Sequence, residues 1–153
     1  MGRSSALLLA AAAYPPGGPK RHQTFAWFLK AGQPPSAPVP VGEPDNWLWR
    51  VAWRDGRAHG IGYPTNGAGT AVHLFESGRD LVFQRTVTSL LSESSPNESG
   101  IAFEPDGTLR ALLRREKPPY TAMWGTSRPP YREWKWQDSG MRVGGPAILR
   151  LPD

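Results

Sequence analysis

A chain of 153 residues has room for one ordinary domain and not for two of average size. It has no cysteine, which excludes a disulfide framework, a zinc knuckle and a thiol nucleophile. Its net charge is +5, yet the 18 Lys and Arg are scattered apart from "RREK" at 114–117, so no nucleic-acid surface of clustered cations and interleaved aromatics is expected.

In chain order, "MGRSSALLLAAAA" (1–13) sets one Arg before an apolar run that resembles a short signal peptide. Under that reading the protein is exported, to a periplasm or outside the cell; the other reading is a frayed terminus. No apolar run reaches the roughly 18 residues of a membrane span. "YPPGGPK" (14–20) and "GQPPSAPVPVGEPD" (32–45) carry too much Pro for a helix or a central strand. In "NWLWRVAW", alternation puts Trp47, Trp49, Val51 and Trp53 on one face and Leu48, Arg50 and Ala52 on the other. "HGIGY", "TAVHLFE", "DLVFQRTV", "GIAF", "TLRALLR", "TAMW" and "PAILRL" follow, each short and bounded by turn residues. With 17 Gly, 17 Pro and seven Trp, and no clear helical period outside the Ala run, the expected class is all-β without significant helix.

Two markers recur at about the same interval. The turns at Asp55-Gly56 and Asp106-Gly107 are 51 residues apart, and Asp153 lies 47 beyond the second. "SGRDLVF" and "SRPPYREW" run in step with them, their serines (Ser77, Ser127) 50 apart and their aromatics (Phe83, Trp134) 51 apart. Four short strands per repeat of about 50 residues is the period of β-propeller blades. The expected architecture is therefore a partial propeller of four-stranded antiparallel blades.

"NESGIAFEPDGTLRALLRRE" is the most informative stretch. Pro105-Asp106-Gly107 suits a three-residue hairpin loop closed by a left-handed Gly. Pairing Glu104 with Thr108 then sets Glu98 opposite Arg114, with Ile101, Phe103, Leu109, Ala111 and Leu113 on a core face. Such an ion pair is either an ordinary cross-strand contact on a solvated face, contributing roughly 0.2–1 kcal/mol, or part of a ligand site. In a site, Arg114 faces a substrate carboxylate, which a guanidinium grips with two parallel hydrogen bonds. Arg50 is open in the same way: it reaches a central pocket, or it is a salt-bridged strand residue. Trp47 and Trp49 either stack on sugar rings or fill core.

The repeat resembles the sialidase (neuraminidase) superfamily of six-bladed propellers, whose blades carry the Asp-box turn Ser-x-Asp-x-Gly-x-Thr-Trp. "SGRDLVF" and "TSRPPYREW" look like worn Asp-boxes that keep the serine and the closing aromatic. "NESGIAFEPDGTLRALLR" is similar to the family's Asn-Glu strand, Asp-Gly turn and strand ending in Arg, with sixteen residues from Glu98 to Arg114. "VGGPAILRLPD" resembles the start of a following blade in bacterial members. The resemblance covers about 24–153, leaving 1–23 as a separate N-terminal segment. It implies that Glu98 activates a tyrosine nucleophile, an exception to the two-carboxylate glycosidase scheme, and that Arg114 is one of three arginines holding a sialic acid carboxylate. The remaining two arginines of that set and the acid-base aspartate are not identifiable. Tyr14, Tyr63, Tyr120 and Tyr131 stand in the wrong places for the nucleophile.

The implied activity is that of an exo-α-sialidase-type glycoside hydrolase acting on a sialic-acid-like or other acidic glycan. The chain would supply about three blades of six and need the rest of the propeller for closure. Two alternatives stand beside this: a non-catalytic carbohydrate-binding propeller, and a five-bladed glycosidase propeller with carboxylates at the central ends of successive blades. No cofactor is expected, and His22, His59 and His73 lack the spacing of a metal site.

Overall fold

The computed structural model describes the backbone of residues 5–13 and all of residues 21–67, 69–78 and 81–151. Tyr14 and "YPPGGPK", Arg79 and Asp80 of "SGRDLVF", and Asp153 at the expected third turn lie outside the described residues. Every regular element described is a strand, as the composition predicts: β1 (Ser5–Ala13), β2 (His22–Lys30), β3 (Val39–Val41), β4 (Asn46–Arg54), β5 (Arg57–Pro64), β6 (Val72–Ser77), β7 (Gln84–Leu91), β8 (Pro96–Phe103), β9 (Leu109–Arg115), β10 (Thr121–Ser127) and β11 (Lys135–Arg142). They form three antiparallel sheets: β1-β2-β3, then the meanders β4-β5-β6-β7 and β8-β9-β10-β11. None of the three closes on itself.

Local turn chemistry sets the hairpins. Asp55 and Gly56 both take positive φ (50° and 75°) and join Arg54 to Arg57 as a two-residue loop, the backbone twist that antiparallel strands accept most readily. In the Pro105-Asp106-Gly107 loop, Gly107 takes φ 87°, and the Glu104 N–H donates to the Thr108 carbonyl at 2.9 Å. The Asp106 carboxylate accepts from the Thr108 N–H (2.9 Å) and hydroxyl (3.0 Å), which together hold its pKa below the usual range.

The second sheet is covered on both faces. Ala58, Phe75, Leu81 and Phe83 join Ala26, Val41 and Leu48 in one core; Ile61, Val72 and Leu74 join Ile101, Leu109, Ala111, Leu113 and Met123 in the other. The predicted core face of the β8–β9 hairpin is thus present, with Phe103 packed at its margin. β8 lies against β4 and β5, which brings the first strands of the two meanders together. The loops after β6 and β10 repeat one geometry at a 50-residue offset. Ser77 and Ser127 are buried, Leu81 and Tyr131 take φ 59° and 62°, and their N–H groups donate to Gly78 and Arg128 carbonyls.

Three strand expectations need correction. "PAILRL" is not a strand: residues 143–150 run as an irregular segment across β8, because Gly144, Gly145 and Pro146 break the pattern before it can pair. Alternation along β4 fails at a register shift between Leu48 and Arg50. One extra residue there turns the faces over, so Leu48 and Val51 share one core while Ala52 packs against the other. "VPV" inside the Pro-rich stretch forms β3, which Pro40 tolerates because β3 is an edge strand. The apolar N-terminal run is described as β1, paired along its length with β2.

Two histidines make the fold sensitive to acid. His59 is buried between the second and third sheets, edge-on to Phe103 and Tyr131 at 5.1 and 5.0 Å. Burial pushes its pKa down, with Glu76 partly offsetting this and Arg57 adding to it. Burial likewise lowers His73, whose Nδ1 bonds the Thr88 carbonyl. As pH falls below about 6.5 the unfolded chain binds protons that the folded chain resists, so stability is lost on the acid side. His59→Phe keeps the ring packing and removes Nδ1, a buried atom without a partner. It should shrink the fall in Tm between pH 7.5 and pH 5 and add about 1 kcal/mol at pH 5; an unchanged pH dependence would show that His59 is not the sensor.

Candidate functional site

The hairpin register follows its turn. Phe103↔Leu109, Ala102↔Arg110, Ile101↔Ala111, Gly100↔Leu112 and Ser99↔Leu113 are all paired as expected, before the ladder shifts to Pro96↔Arg115. Glu98 stands at that shift and still meets Arg114, with Oε1 3.0 Å from Nη1. Asn97 shapes the irregular end: its Oδ1 accepts the Glu98 N–H at 2.6 Å, and its Nδ2 donates to Glu116 Oε1 at 3.0 Å. The other side of the Arg114 guanidinium pairs with the same Glu116 oxygen at 2.5 Å. Arg114 therefore lies between two carboxylates. Its side chain is 28% exposed and that of Glu98 18%, so both remain within reach of a ligand.

The neighbouring Arg115 has a different task. It turns to the opposite face, is only 4% exposed, and bonds the Thr121 carbonyl and hydroxyl and the Asp138 carboxylate. That network ties β9, β10 and β11 together and leaves Arg115 unavailable to a ligand.

Arg50 reaches the same region from β4. Its Nε donates to the Pro146 carbonyl at 3.2 Å, and among the described residues no carboxylate lies in ion-pair range of it. A salt-bridged Arg50, one of the two readings of the sequence, is thus not what is found. Pro146 belongs to the irregular segment after β11, which forms a strap across β4 and β8. A side chain started at Gly145 would stand 4.0 Å from Glu98 Oε2, and one started at Gly100 would meet the Ala147 and Ile148 backbone at 2.9 Å. Pro146 itself is fully buried although most of its neighbours are exposed. Arg50 and Glu98, 48 residues apart, therefore share one stretch of backbone.

Tyr63 is the member that sequence reasoning set aside. It pairs across strands with Trp47 and stacks on it at 6.1 Å, and Trp47 stacks in turn on His22 at 5.2 Å. Burial pushes the Tyr63 pKa up to about 12, and the charges of Glu98 and Glu116 add to this against Arg114. Its phenol thus sits in the field of the Glu98–Arg114–Glu116 group, and it stays protonated at neutral pH. Trp49 is half-buried with its indole N–H buried and unpartnered, and it meets Trp47 edge-on at 5.9 Å.

The locus offers two guanidiniums, two carboxylates, a neutral phenol and an aromatic wall. Arg50 and Arg114 can donate to an anion, Glu98 and Glu116 can accept from hydroxyls, and Tyr63 can donate. Formal charge sums to zero, so an incoming carboxylate must compete for the guanidiniums with Glu98, Glu116 and the Pro146 carbonyl. Among the described residues no group of three or more His, Asp or Glu side chains is arranged to hold a metal ion.

Gly100 lets the strap close on β8, and its replacement tests the contact. Gly100→Ala sets a Cβ against backbone that cannot give way cheaply, and should cost about 1–3 kcal/mol. It should also speed tryptic cleavage at Arg142 and Arg150. Unchanged melting and unchanged cleavage together would mean that the strap is not seated there. Compared with known proteins, the chain matches no family model, no curated protein and no solved structure.

Proposed function

We propose that the chain is a portion of a sialidase-like β-propeller, its second and third sheets being successive blades, and that the Glu98–Arg114 locus recognises the carboxylate of an acidic sugar. The observation that carries this reading is the placement of Glu98 beside Arg114, with Arg50 and Tyr63 drawn to the same end of the inner strands. Blade identity is supported by two consecutive four-stranded meanders packed face to face, first strand against first strand, and by the loop geometry repeated 50 residues apart.

In this role Arg114 and Arg50 take the carboxylate, and Glu98 accepts from a hydroxyl or from a phenol. The neutral state of Tyr63 suits it to donate a hydrogen bond at the site, not to attack as phenolate. The acid-base aspartate of the sialidase pattern is not among the residues gathered at the locus, so binding without turnover is what this reading expects of the chain. A five-bladed glycosidase with carboxylates on successive blades fits less well, because at an offset of 50 or 51 residues the β4 counterpart of Glu98 is Leu48 or Trp47, not a carboxylate.

Ligand-observed NMR with N-acetylneuraminic acid tests the proposal, with its methyl glycoside ester as an uncharged control. Saturation transfer is expected from the acid and not from the ester, with affinity falling at least about tenfold in Arg114→Gln, roughly 1.4 kcal/mol. A fluorogenic sialoside should not be hydrolysed. Equal binding of acid and ester would defeat carboxylate recognition; turnover abolished by Glu98→Gln would show instead that the chain is an enzyme by itself.

A further inference from the structure

A cleft lies at the turn end of the third sheet, about 20 Å along the β8–β9 hairpin from Glu98. Its volume is about 680 Å³, within the usual range for small-ligand sites of roughly 300–1,000 Å³. Thr108, Arg110 and Thr126 form its floor, and the loop from Ser127 to Lys135 forms its wall. The locus proposed above plays no part in it.

The wall is held in place before any ligand arrives. The Ser127 hydroxyl donates to the Glu133 carbonyl at 2.5 Å, and the Tyr131 hydroxyl donates to the Gly107 carbonyl at 3.1 Å. The Trp134 indole N–H donates to the Tyr131 carbonyl at 3.0 Å, and its ring stacks on Trp136 at 5.3 Å with 14° between planes. Arg132 is anchored on the Thr86 carbonyl of the second sheet. A preformed wall spares a ligand the entropy of ordering it.

The charges are uneven in a way that indicates the ligand. Four cations line the cleft, and two are already engaged: Arg110 with Glu104 and Arg128 with Asp106. Among the described residues no carboxylate lies in ion-pair range of Arg132 or Lys135, which line the cleft and bracket Trp134 along the chain. Two cations flanking an indole suit a ring with anionic substituents, since the indole packs on the ring and the cations take the charges. Asp106 and Glu133 add acceptors for hydroxyls.

The geometry points to a second binding site, distinct from the Glu98 locus, that takes an oligosaccharide bearing two or more sulfate or carboxylate groups. Arg132 and Lys135 hold the anionic groups and Trp134 packs on a sugar ring. Isothermal titration with a heparin tetrasaccharide, a hyaluronan tetrasaccharide and neutral maltotetraose tests this. One or both anionic sugars should bind, and which of them does so assigns sulfate or carboxylate; maltotetraose should not. Lys135→Gln should weaken binding several-fold, and Arg132→Gln with Lys135→Gln at least tenfold, while Arg114→Gln leaves it unchanged. Circular dichroism and Tm of the single Lys135→Gln variant, whose side chain is exposed, show that its loss is not unfolding. Maltotetraose binding as tightly, inorganic sulfate competing at the same molar concentration as the oligosaccharide, affinity unchanged in the double variant, or binding of neither anionic sugar would each overturn the assignment.

Discussion

Both cores rest on the pairing of β5 with β6. These two strands are buried on both faces, so that Ala58 and Phe75 serve one core while Ile61, Val72 and Leu74 serve the other. A strand pair covered on two sides gives up the alternation of polar and apolar residues and becomes continuously buried, as Ala58 to Gly62 and Val72 to Phe75 are. The sheets on either side have somewhere to pack only because this pair holds its register. Its cost is visible in His59, a polar ring held in that interior with one nitrogen unpartnered.

Stacking sheets in this order brings edge strands of the second and third sheets together. β4 and β8 come together, and Arg50 of one and Glu98 of the other border the same stretch around Pro146 although they are distant in sequence. Arg50, Tyr63, Glu98 and Arg114 arrive from four strands and two sheets, and the strap through Pro146 crosses the same place. Sheet packing positions this locus, and it leaves Glu98 and Arg114 partly buried while Arg50 stays exposed and leans on the strap. The density of partners around Arg114 then decides the chemistry. A guanidinium already shared by Glu98 and Glu116 is held in orientation, but a ligand has to displace some of those contacts to use it.

The opposite end of the third sheet follows another logic. There the side chains stand on tight turns, and rigidity comes from short-range bonds: Asp106 to Thr108, Ser127 to Glu133, and Trp134 to Tyr131. These contacts span few residues and hold wherever the strands supporting them hold. Tyr131 links the two kinds of organisation, since its ring packs against His59 in the core and its hydroxyl caps the Gly107 turn.

What the sequence determined by itself is what depends on local geometry. The all-β class came from composition; the β8–β9 register came from Pro-Asp-Gly, and with it the Glu98–Arg114 pair and the Ile101, Leu109, Ala111 and Leu113 face. The 50-residue recurrence was also legible, because its markers are turn residues whose backbone angles are set within a few positions. Tertiary structure decided the rest. The bulge beside Trp49 reorients Arg50, and no pattern of residue types announces a register shift. Tyr63 joins Glu98 only because β5 lies against β8, and "PAILRL" becomes a strap because Gly100 leaves room for it on β8. Adjacent arginines divide in the same manner: Arg114 stays at the candidate site while Arg115 is drawn to Asp138, a partner supplied by a strand two places away in the sheet. Turn geometry is local and can be read along the chain, whereas contacts between sheets depend on how the sheets pack, which local pattern does not specify.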